Sequence, residues 1–298
     1  MTALTLYSPL IDMILTSCRA ATTRTRYARK LRLYLDWWEQ AGKPALSRPV
    51  VQAYMSTIST QAAFQQLHSL TAIKKLAKEA FYRGLMSQGD YIGIDELSAP
   101  RVLGIRQGVR LTEDEIIEVL TKPDGTLKGL RDRVAIELLF YAGLRRSEAA
   151  SITKDQIQRI DGRPVIANLI GKGGRVRSVP IPAFVVEHID AWMQAAGITD
   201  GVVLRAINRW GKVSAEGIHD SSLALISEQY GGICCHDFRR TMACLARKRG
   251  VALDQIQQIL GHADIKTTQI YIGGNVDFEN AVCDALPVIT GQNTLTKP

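Results

Sequence analysis

The sequence lacks any apolar run long enough to cross a membrane. A membrane-spanning helix needs about 20 mainly apolar residues in succession, and the long apolar stretch VAIELLFYAGL is interrupted by Glu137. The apolar start, LTLYSPLIDMIL, carries Asp12 and has neither a basic leader nor a clear small-residue cleavage site. We interpret it as an amphipathic helix that packs inward rather than as a signal peptide. We therefore expect a soluble, cytoplasmic protein with no membrane partner.

Cysteine is scarce and shows no regular spacing. The five cysteines are Cys18, Cys234, Cys235, Cys244 and Cys283. Their odd number and irregular spacing are typical of a reducing cytosol rather than of a disulfide framework. Cys234-Cys235-His236 suggests a metal site, but adjacent cysteines cannot easily face one tetrahedral ion, and no second ligand pair lies at zinc-site spacing. We expect buried free thiols, no metal site and no cofactor.

Acidic residues are fewer than basic ones. The chain has 37 Lys and Arg against 29 Asp and Glu, a net charge of +8 and a pI near 9.3. This excess favours a polyanionic partner such as nucleic acid, although many soluble proteins share it. With 46% apolar and 22% charged residues, the 298-residue chain has the composition of a globular protein of two ordinary domains. Internal repeats and low-complexity tracts are absent.

The first hundred residues lack strand alternation and have helical periodicity instead. Apolar residues recur at helical spacing in TRTRYARKLRLYLDWWEQAG and SLTAIKKLAKEAFYRGL. Gly42 with Pro44 closes one predicted helix, and Ser47 before Pro49 opens another. A basic connector without helical periodicity follows, LSAPRVLGIRQGVR. We predict a domain of four or five helices at 1–97, a linker at 98–110 and a second domain at 111–298.

The second domain is predicted to be mixed but mainly helical. Thr112 and Glu115 form a capping-box pattern that opens a helix. The segment PVIANLIGKGGRVRSVPI predicts a hairpin with a glycine-rich turn. A short helix at 277–286 and a mobile polar tail complete the prediction. The predicted fold class is mainly α with a small β-sheet or hairpin.

Six residues suited to phosphodiester chemistry lie in the motifs GLRRSE, GKGGRVRSVP, HDFRRT and LGHADIKTTQIYI. They are Arg145, Lys172, His236, Arg239, His262 and Tyr271. Cleavage without a metal needs a nucleophile, positive charge for the transition state and an acid for the leaving oxygen. Tyrosine, arginine, and lysine or histidine can supply these. Glu148, on the same helical face as Arg145, could orient it. Each residue alone is more often structural, so the combination carries the prediction.

These motifs resemble those of the tyrosine recombinase (phage integrase) family, whose active site combines an Arg, a Lys, a His-x-x-Arg pair, a His or Trp and a Tyr. The resemblance implies that Tyr271 is the nucleophile that forms a 3′-phosphotyrosyl link. Arg145 and Arg239 become the phosphate clamp, and Lys172 becomes the general acid for the 5′ hydroxyl. The two motif histidines complete phosphate activation and proton transfer, and Glu148 matches the family's acidic supporting position.

The resemblance also implies a fold and a function. TTRTRYARKLRLYLDWWEQAG is similar to the helix that opens the family's helical core-binding domain, which precedes an α/β catalytic domain. The chain resembles the compact Xer-type, Cre-like or transposon-borne members. Such a site-specific recombinase (integrase) binds double-stranded DNA at specific recombination sites and exchanges strands in a homotetramer through a Holliday junction. It needs no ATP or metal, and would be associated with the nucleoid when bound to DNA.

Basic clusters on the first domain and the linker are the expected DNA contacts, in a C-shaped clamp that the resemblance implies. They comprise Arg24, Arg26, Arg29, Lys30, Lys74, Lys75, Lys78, Arg101, Arg106 and Arg110. For any one of them, a solvated surface is an equally good interpretation. Binding should weaken steeply with salt, because each neutralised phosphate releases counterions.

Two departures from the family pattern concern packing rather than the six site residues. Ala149 stands where the family usually has leucine, and Ile272-Gly273-Gly274 replaces a more usual polar or histidine-containing segment after the nucleophile. Arg240 is interpreted as structural. The predicted helix at 277–286 would dock on a neighbouring subunit through Phe278, Val282 and Leu286.

Two other functions stay open at this point. A type IB topoisomerase would use the same chemistry to relax one duplex, although the GLRRSE and LGHADIKTTQIYI motifs favour a recombinase. A DNA-binding accessory factor could keep the fold without cleavage, although all six site residues are present. The target site, the need for a partner recombinase or accessory proteins, and the choice between dimer resolution and mobile-element integration also stay open.

Overall fold

The computed structural model describes residues 3–18, 21–100, 108–171, 174–272, 288–290 and 294–296, with the backbone alone at 3–8, 22, 271 and the last two segments. The chain divides into two compact units, Met1–Arg106 and Gln107–Pro298. This division falls within the linker predicted at 98–110. Each unit has its own hydrophobic core. The predicted fold class, mainly helical with small antiparallel sheets, is confirmed.

Helices account for the regular structure described in the first unit. They are α1 (Ala3–Ser17), α2 (Ala21–Gln40), α3 (Arg48–Thr57), α4 (Ala63–Tyr82) and α5 (Gln88–Asp95). α2 packs against α1 and α4, because its periodic apolar residues Leu31, Tyr34 and Leu35 are buried against residues such as Ile73 and Leu76 of α4. The opposite faces carry basic residues, of which Arg26 and Arg29 of α2 and Lys75 and Lys78 of α4 are exposed, whereas Lys30 is buried.

The helices end and begin where the sequence predicts. α2 ends at Gln40, and Gly42 takes the left-handed backbone conformation with φ +82° that glycine adopts easily. Ser47 then occupies the N-cap of α3 in an extended conformation, with Pro49 in the first turn. Proline is tolerated there because the first backbone N–H groups of a helix have no partner within the helix.

The second unit combines helices with two short sheets. Its helices are α6 (Glu113–Thr121), α7 (Leu127–Phe140), α8 (Arg146–Ser151), α9 (Ala183–Ala195), α10 (Asp220–Gly231), α11 (Cys235–Lys248), α12 (Leu253–Leu260) and α13 (Ile265–Ile272), with a 3₁₀ turn at Lys154–Gln156. The strands are β1 (Ile157–Ile160), β2 (Arg163–Ile170), β3 (Val176–Pro180), β4 (Arg205–Ile207) and β5 (Val213–Gly217). The predicted capping box of α6 is present, since Thr112 and Glu115 each accept from the other's backbone N–H.

The predicted hairpin corresponds to β2 and β3, which pair antiparallel from Val165 opposite Pro180 to Ile170 opposite Val176. The structure adds β1 as a third strand on the other side of β2, and β4 and β5 form a separate antiparallel pair. None of the helices within the described ranges is long and apolar enough to span a membrane.

The core of the second unit is built around α7. α7 packs against α9 and α11, and its Val134, Ile136 and Leu138 are fully buried. Trp192 of α9 is also fully buried and donates from its indole nitrogen to the Val203 carbonyl at 2.8 Å. This packing fixes the C-terminal end of α7, from which the chain turns into GLRRSE.

The structure adds a short strand pair near the C-terminus. The predicted helix at 277–286 lies outside the described residues. The polar tail was expected to be mobile, but β6 (Val288–Thr290) pairs antiparallel with β7 (Thr294–Thr296). The segments are short and contain Val, Ile, Thr and Leu, mostly β-branched residues that favour strands. A strand pair was not predicted in this segment, and the mobility of the tail stays a prediction.

Candidate active site

Arg145 is positioned by a tight turn after α7. Gly143 has φ +55°, and a Cβ at this position would overlap with the Met242 Cε of α11. The backbone N–H of Leu144 donates to the Leu138 carbonyl at 3.3 Å. Arg145 follows as the N-cap residue of α8, with an extended backbone. Glycine is thus favoured in GLRRSE by its backbone conformation, and a side chain there would also displace the end of Met242.

Glu148 joins two arginines. It accepts hydrogen bonds from the Arg145 backbone N–H and from Arg145 Nη1, both at 2.8 Å. Arg177 of β3 donates to both carboxylate oxygens, from Nη1 at 3.0 Å and from Nη2 at 2.8 Å. The Glu148 side chain is only 4% exposed. Burial would raise its pKa, but the hydrogen bonds from Arg177 and Arg145 outweigh burial and lower the pKa from 4.5 to about 2.

Arg177 also links this ion cluster to the turn after α12. Its Nε donates to the Ile259 carbonyl at 2.8 Å, and Arg145 Nη2 approaches the Gly261 carbonyl at 3.4 Å. Gly261 caps α12 with φ +60°, and a Cβ there would lie 3.1 Å from Arg177 Cδ. The glycine of the LGHAD motif therefore allows this turn and the arginine to approach each other closely.

Arg239 of α11 connects the same two turns from the interior. Its guanidinium donates to the Gly143 and Leu260 carbonyls and is 1% exposed. Arg239 Nη2 also lies 3.3 Å from His262 Nε2. Because the two carbonyls belong to GLRRSE and LGHAD, a single buried cation holds both motifs together.

His262 is held between Arg239 and the last described helix. Its Nδ1 lies 2.9 Å from the Thr268 hydroxyl, which is fully buried in α13. With Arg239 donating to Nε2, the neutral ring carries its proton on Nδ1 and donates it to Thr268. Desolvation, followed by the charges of Arg239 and Arg145, lowers the pKa of His262 to about 4. The ring is therefore neutral at pH 7.

His236 lies in the first turn of α11, three residues before Arg239. Partial desolvation and the charges of Arg239 and Arg145 lower its pKa, although the residue keeps substantial exposure. His236 in turn contributes to lowering the pKa of His262. The two histidines and two arginines thus lie within electrostatic reach of one another.

The structure describes the other two predicted site residues only in part. Lys172 lies outside the described residues, between β2 and β3. Tyr271 belongs to α13, but its side chain is outside what the structure describes. α13 itself is attached to the site by Thr268, and the Ile272 carbonyl accepts from Cys244 Sγ of α11 at 3.5 Å.

A cleft of about 460 Å³ opens beside this cluster. Its lining includes Gly171, Arg175, Arg177, Gln257, Gly261 and His262. It lies between the β2–β3 hairpin and the end of α12. In the sequence, Lys172 directly follows the lining residue Gly171. Among the described residues, no group of three or more His, Cys, Asp or Glu side chains is placed to hold a metal ion.

Two positioning residues were missed in the sequence. Arg177 precedes the buried Val179 by two positions in β3. Since side chains two apart share a strand face, a signal was available: an arginine on a buried face needs a counter-ion. Thr268 offered no such signal, because its bond to His262 depends on the turn between α12 and α13.

The predicted DNA contacts of the first unit occupy varied surroundings. Arg24 donates to the Leu15 and Cys18 carbonyls at the end of α1. The other residues predicted in α2, Arg26, Arg29 and Lys30, line a large cleft. The side chains predicted in α4 have intramolecular contacts: Lys74 donates to the Asp95 carbonyl, Lys75 lies over Tyr27 and Lys78 lies over Tyr82. Arg101 and Arg106 lie outside the described residues, and Arg110 is exposed.

Comparison with known proteins shows the family to which the chain belongs. The model of the phage integrase family matches residues 109–276, more than half of the chain. A tyrosine recombinase XerC of Xylella fastidiosa (strain M23) is 28% identical over 273 residues, covering 88% of this chain and 90% of the relative. A tyrosine recombinase XerA of Thermococcus kodakarensis is 31% identical over 166 residues, covering 54% of this chain and 56% of the relative.

Solved structures show the same fold. XerH bound to palindromic difH substrate aligns with a TM-score of 0.67 at 17% identity, covering 89% of this chain and 80% of that one. A lambda integrase dimer bound to a COC′ core site aligns with a TM-score of 0.67 at 16% identity, covering 91% of this chain and 95% of that one. The family match, together with the arginine and histidine cluster, identifies the chain as a member of the phage integrase family of tyrosine recombinases.

Proposed function

We propose that this protein cleaves and rejoins DNA strands at specific sites through a covalent bond between Tyr271 and a 3′ phosphate. The observation that supports this most is the joining of Arg145, Arg239 and His262 by one hydrogen-bonded network. α13, the helix of Tyr271, is attached to that network through Thr268. A structural salt bridge alone would not require two arginines, a neutral histidine and this helix to meet.

The two arginines have different parts in phosphate binding. Arg145 has a side chain that is 21% exposed, so its guanidinium can contact a non-bridging phosphate oxygen directly. Arg239 is 1% exposed and forms the floor of the site. A positive charge remote from water acts strongly on an anion in the same region. Glu148 and Arg177 hold Arg145 in place without contacting the reacting atoms.

The chemical step moves one bond between two oxygens. The Tyr271 hydroxyl gives its proton to the neutral ring of His236 and its oxygen attacks phosphorus, so that a bond from phosphorus to the tyrosine oxygen forms as the bond to the 5′ oxygen breaks. Lys172 supplies the proton that the leaving 5′ oxygen takes up. The reverse reaction rejoins the strand, and because the phosphotyrosine keeps the energy of the broken diester, no ATP is needed.

The histidines respond to the arrival of the phosphate. In the free protein desolvation, followed by the arginine charges, lowers the pKa of both His236 and His262. A bound phosphate offsets those charges, which raises the pKa of both rings toward neutrality. The histidines then become better hydrogen-bond donors to the phosphate oxygens when negative charge develops there.

The partners and domain roles follow from the relatives. XerH and lambda integrase were solved on DNA, and the Tn1549 transposon integrase was solved with circular intermediate DNA. We extend this to a DNA-binding domain at 1–97, a linker at 98–110 and a catalytic domain at 111–298. Strand exchange would proceed in a homotetramer through a Holliday junction. The tyrosines of the tetramer would cut first one pair of strands and then the other.

A nicked DNA substrate tests the proposal. A nick close to the cleavage position lets the short 5′-ended product diffuse away, which traps the covalent adduct. The protein and its Tyr271→Phe variant are incubated in EDTA with duplexes from its own genetic neighbourhood. An adduct at one discrete position that requires Tyr271 supports the proposal. Adducts scattered along any DNA would support a topoisomerase instead, and tight binding without any adduct would support a non-cleaving accessory factor.

A further inference from the structure

The end of the linker packs along α11, the helix that carries two of the candidate site residues. Gly108 lies so close to this helix that a Cβ on it would be 2.5 Å from Asp237 Oδ1 and 2.9 Å from Arg240 Nε. Asp237 is 7% exposed, and its other carboxylate oxygen accepts from the backbone N–H of Cys234 at 3.1 Å and from its Sγ at 3.0 Å. Asp237 therefore has little room to move away from the linker.

A buried hydroxyl of α11 holds the residue that follows the linker. The backbone N–H of Leu111 donates to Thr241 Oγ1 at 3.1 Å, and Thr241 is fully buried. A buried hydroxyl is costly unless it has a hydrogen-bond partner, and here the linker end supplies one. Directly after Leu111, Thr112 and Glu115 form the capping box that begins α6. The chain at 108–111 is thus held between α6 and α11.

The linker contacts a different face of α11 from the one that carries the site residues. Asp237, Thr241 and Cys244 follow one another at intervals of four and three residues, so they share one face of the helix. His236 and Arg239 lie on a neighbouring face. Because both faces belong to one helix, a displacement of the linker end that moves α11 also moves the two site residues.

The face of α11 that contacts the linker also contacts the helix of Tyr271. Cys244 Sγ donates to the carbonyl of Ile272, which directly follows Tyr271 in α13, at 3.5 Å. Ile272 also packs against a small apolar cluster formed by residues of α11 and α12. Burial raises the pKa of the Cys244 thiol, and the charges of Arg110 and Arg240 oppose this, so both arginines lie near it. The linker end, α11 and α13 therefore form one continuous set of contacts.

We propose that the linker end at 108–111 is a positioning element for the nucleophile: through Thr241 and Cys244 of α11 it determines where α13 holds Tyr271. This rests on the proposed function, in which Tyr271 attacks the phosphate. It goes further by giving the linker a part in the chemical step. A small shift is sufficient, because a misplacement of about 1 Å can cost about 100-fold in rate.

Two substitutions weaken the contact between the linker end and α11. Thr241→Val removes the hydroxyl and keeps the shape, whereas Thr241→Ser keeps the hydroxyl and is the conservative variant. Gly108→Ala adds one methyl group that meets Asp237. The backbone of Gly108 accepts alanine, because its φ lies outside the left-handed region.

Two control variants change the same unit away from this contact. Thr121→Val alters an exposed threonine of α6 whose hydroxyl donates to carbonyls of its own helix. Ile189→Val shortens a fully buried side chain of α9 and reproduces a general loss of stability. Neither control should change the position of α13.

Hydrogen exchange in the free protein tests the connection without any reaction. Peptides from α13 should exchange about fivefold faster in Thr241→Val and Gly108→Ala than in the wild type, the factor that corresponds to the loss of one typical hydrogen bond. Thr241→Ser and both controls should match the wild type in α13. Unchanged exchange of α13 in both Thr241→Val and Gly108→Ala overturns the proposal.

The rate of adduct formation at saturating nicked DNA tests the effect on the chemical step. This rate should fall by about tenfold or more in Thr241→Val and Gly108→Ala, with the DNA concentration for half-maximal rate unchanged. Thr241→Ser should keep the wild-type rate. An equal fall in Ile189→Val, or a change in DNA affinity with the saturated rate unchanged, overturns the positioning role.

A substrate with sulfur in place of the 5′ oxygen identifies the group that is displaced. The sulfur leaves without being protonated, so it compensates for a misplaced general acid but not for a misplaced nucleophile. The rates of Thr241→Val and Gly108→Ala relative to the wild type should therefore stay low on this substrate. Restoration of the wild-type rate would overturn the proposal, because the linker would then act on the acid.

The wild-type protein separates this inference from the proposed function. Tyr271-dependent adducts that form at the same rate in the wild type and both linker-contact variants would refute the positioning role and leave the proposed function intact. No adduct from the wild type, with faster exchange of α13 in both variants, would refute the proposed function and keep the connection between the linker and α13.

Discussion

Replacement of Glu148 by glutamine should destabilise the second unit in a pH-dependent way. The pKa of Glu148 is lowered from 4.5 to about 2 in the folded protein. A group with a lowered pKa contributes stability that is fully present above its unfolded pKa and is lost as the pH falls through its folded pKa. The carboxylate therefore contributes about 3.4 kcal/mol near pH 7, from 2.5 pKa units at about 1.36 kcal/mol each.

The same relation gives the contribution at lower pH. Near pH 3 the folded carboxylate is still mostly ionised, while the unfolded one is mostly protonated, and the contribution falls to about 1.4 kcal/mol. The difference in unfolding free energy between wild type and Glu148→Gln should therefore shrink by about 2 kcal/mol between about pH 7 and about pH 3. Glutamine keeps the shape but leaves Arg145 and Arg177 without their counter-ion.

Hydrogen exchange in increasing denaturant, read by mass spectrometry, separates the two units. Peptides from α7 and α11 report the second unit, and peptides from α2 and α4 provide an internal control that should not change. Glu187→Gln replaces an exposed carboxylate of the same unit and should match the wild type. Equal stability of Glu148→Gln and wild type near pH 7, or a difference that stays constant down to about pH 3, would refute the reasoning.

Three further predictions concern neighbouring elements. Gly143→Ala should destabilise the second unit by about 1–2 kcal/mol and slow adduct formation, because the residue has φ +55° and a Cβ would meet the end of Met242. Thermal unfolding measures the stability, and the adduct yield measures the reaction. Thr268→Val should lower the rate of adduct formation with DNA affinity unchanged, since His262 loses its acceptor, whereas Thr268→Ser should keep the rate. Glu137 has a buried Oε2 without a hydrogen-bond partner in the described structure, and desolvation raises its pKa. Its ionisation therefore costs stability as the pH rises from 4.5 through the raised pKa. The stability of Glu137→Gln relative to wild type should therefore increase in denaturant titrations as the pH rises above 4.5, and level off beyond the raised pKa. A difference that does not change with pH would contradict this.

Features with local sequence signals were predicted correctly. The capping box at Thr112 and Glu115, the helix break at Gly42 and the hairpin of β2 and β3 each depend on residues within a few positions of one another. The arginine and histidine candidates could be named because the family motifs are local as well. Their mutual contacts, through the Gly143 and Leu260 carbonyls, appear only in the fold.

Features that depend on distant partners could not be predicted in the same way. Arg177 forms hydrogen bonds with Glu148, 29 positions away in the sequence, and with Ile259, 82 positions away. The sequence of β3 contains no signal that identifies either partner. The buried state of Lys30 likewise depends on α4, which closes the cleft from the opposite side. A helical wheel of α2 alone indicates only a basic surface.

The most direct measurement identifies the amino acid that becomes linked to DNA. Adducts formed on nicked DNA are digested with nuclease and protease, and the modified peptide is sequenced by mass spectrometry. We predict a nucleotide attached through its 3′ phosphate to Tyr271, in EDTA as well as in magnesium. A nucleotide on another residue, a link through a 5′ phosphate, or no modified peptide from a protein that binds the DNA tightly would contradict the proposed chemistry.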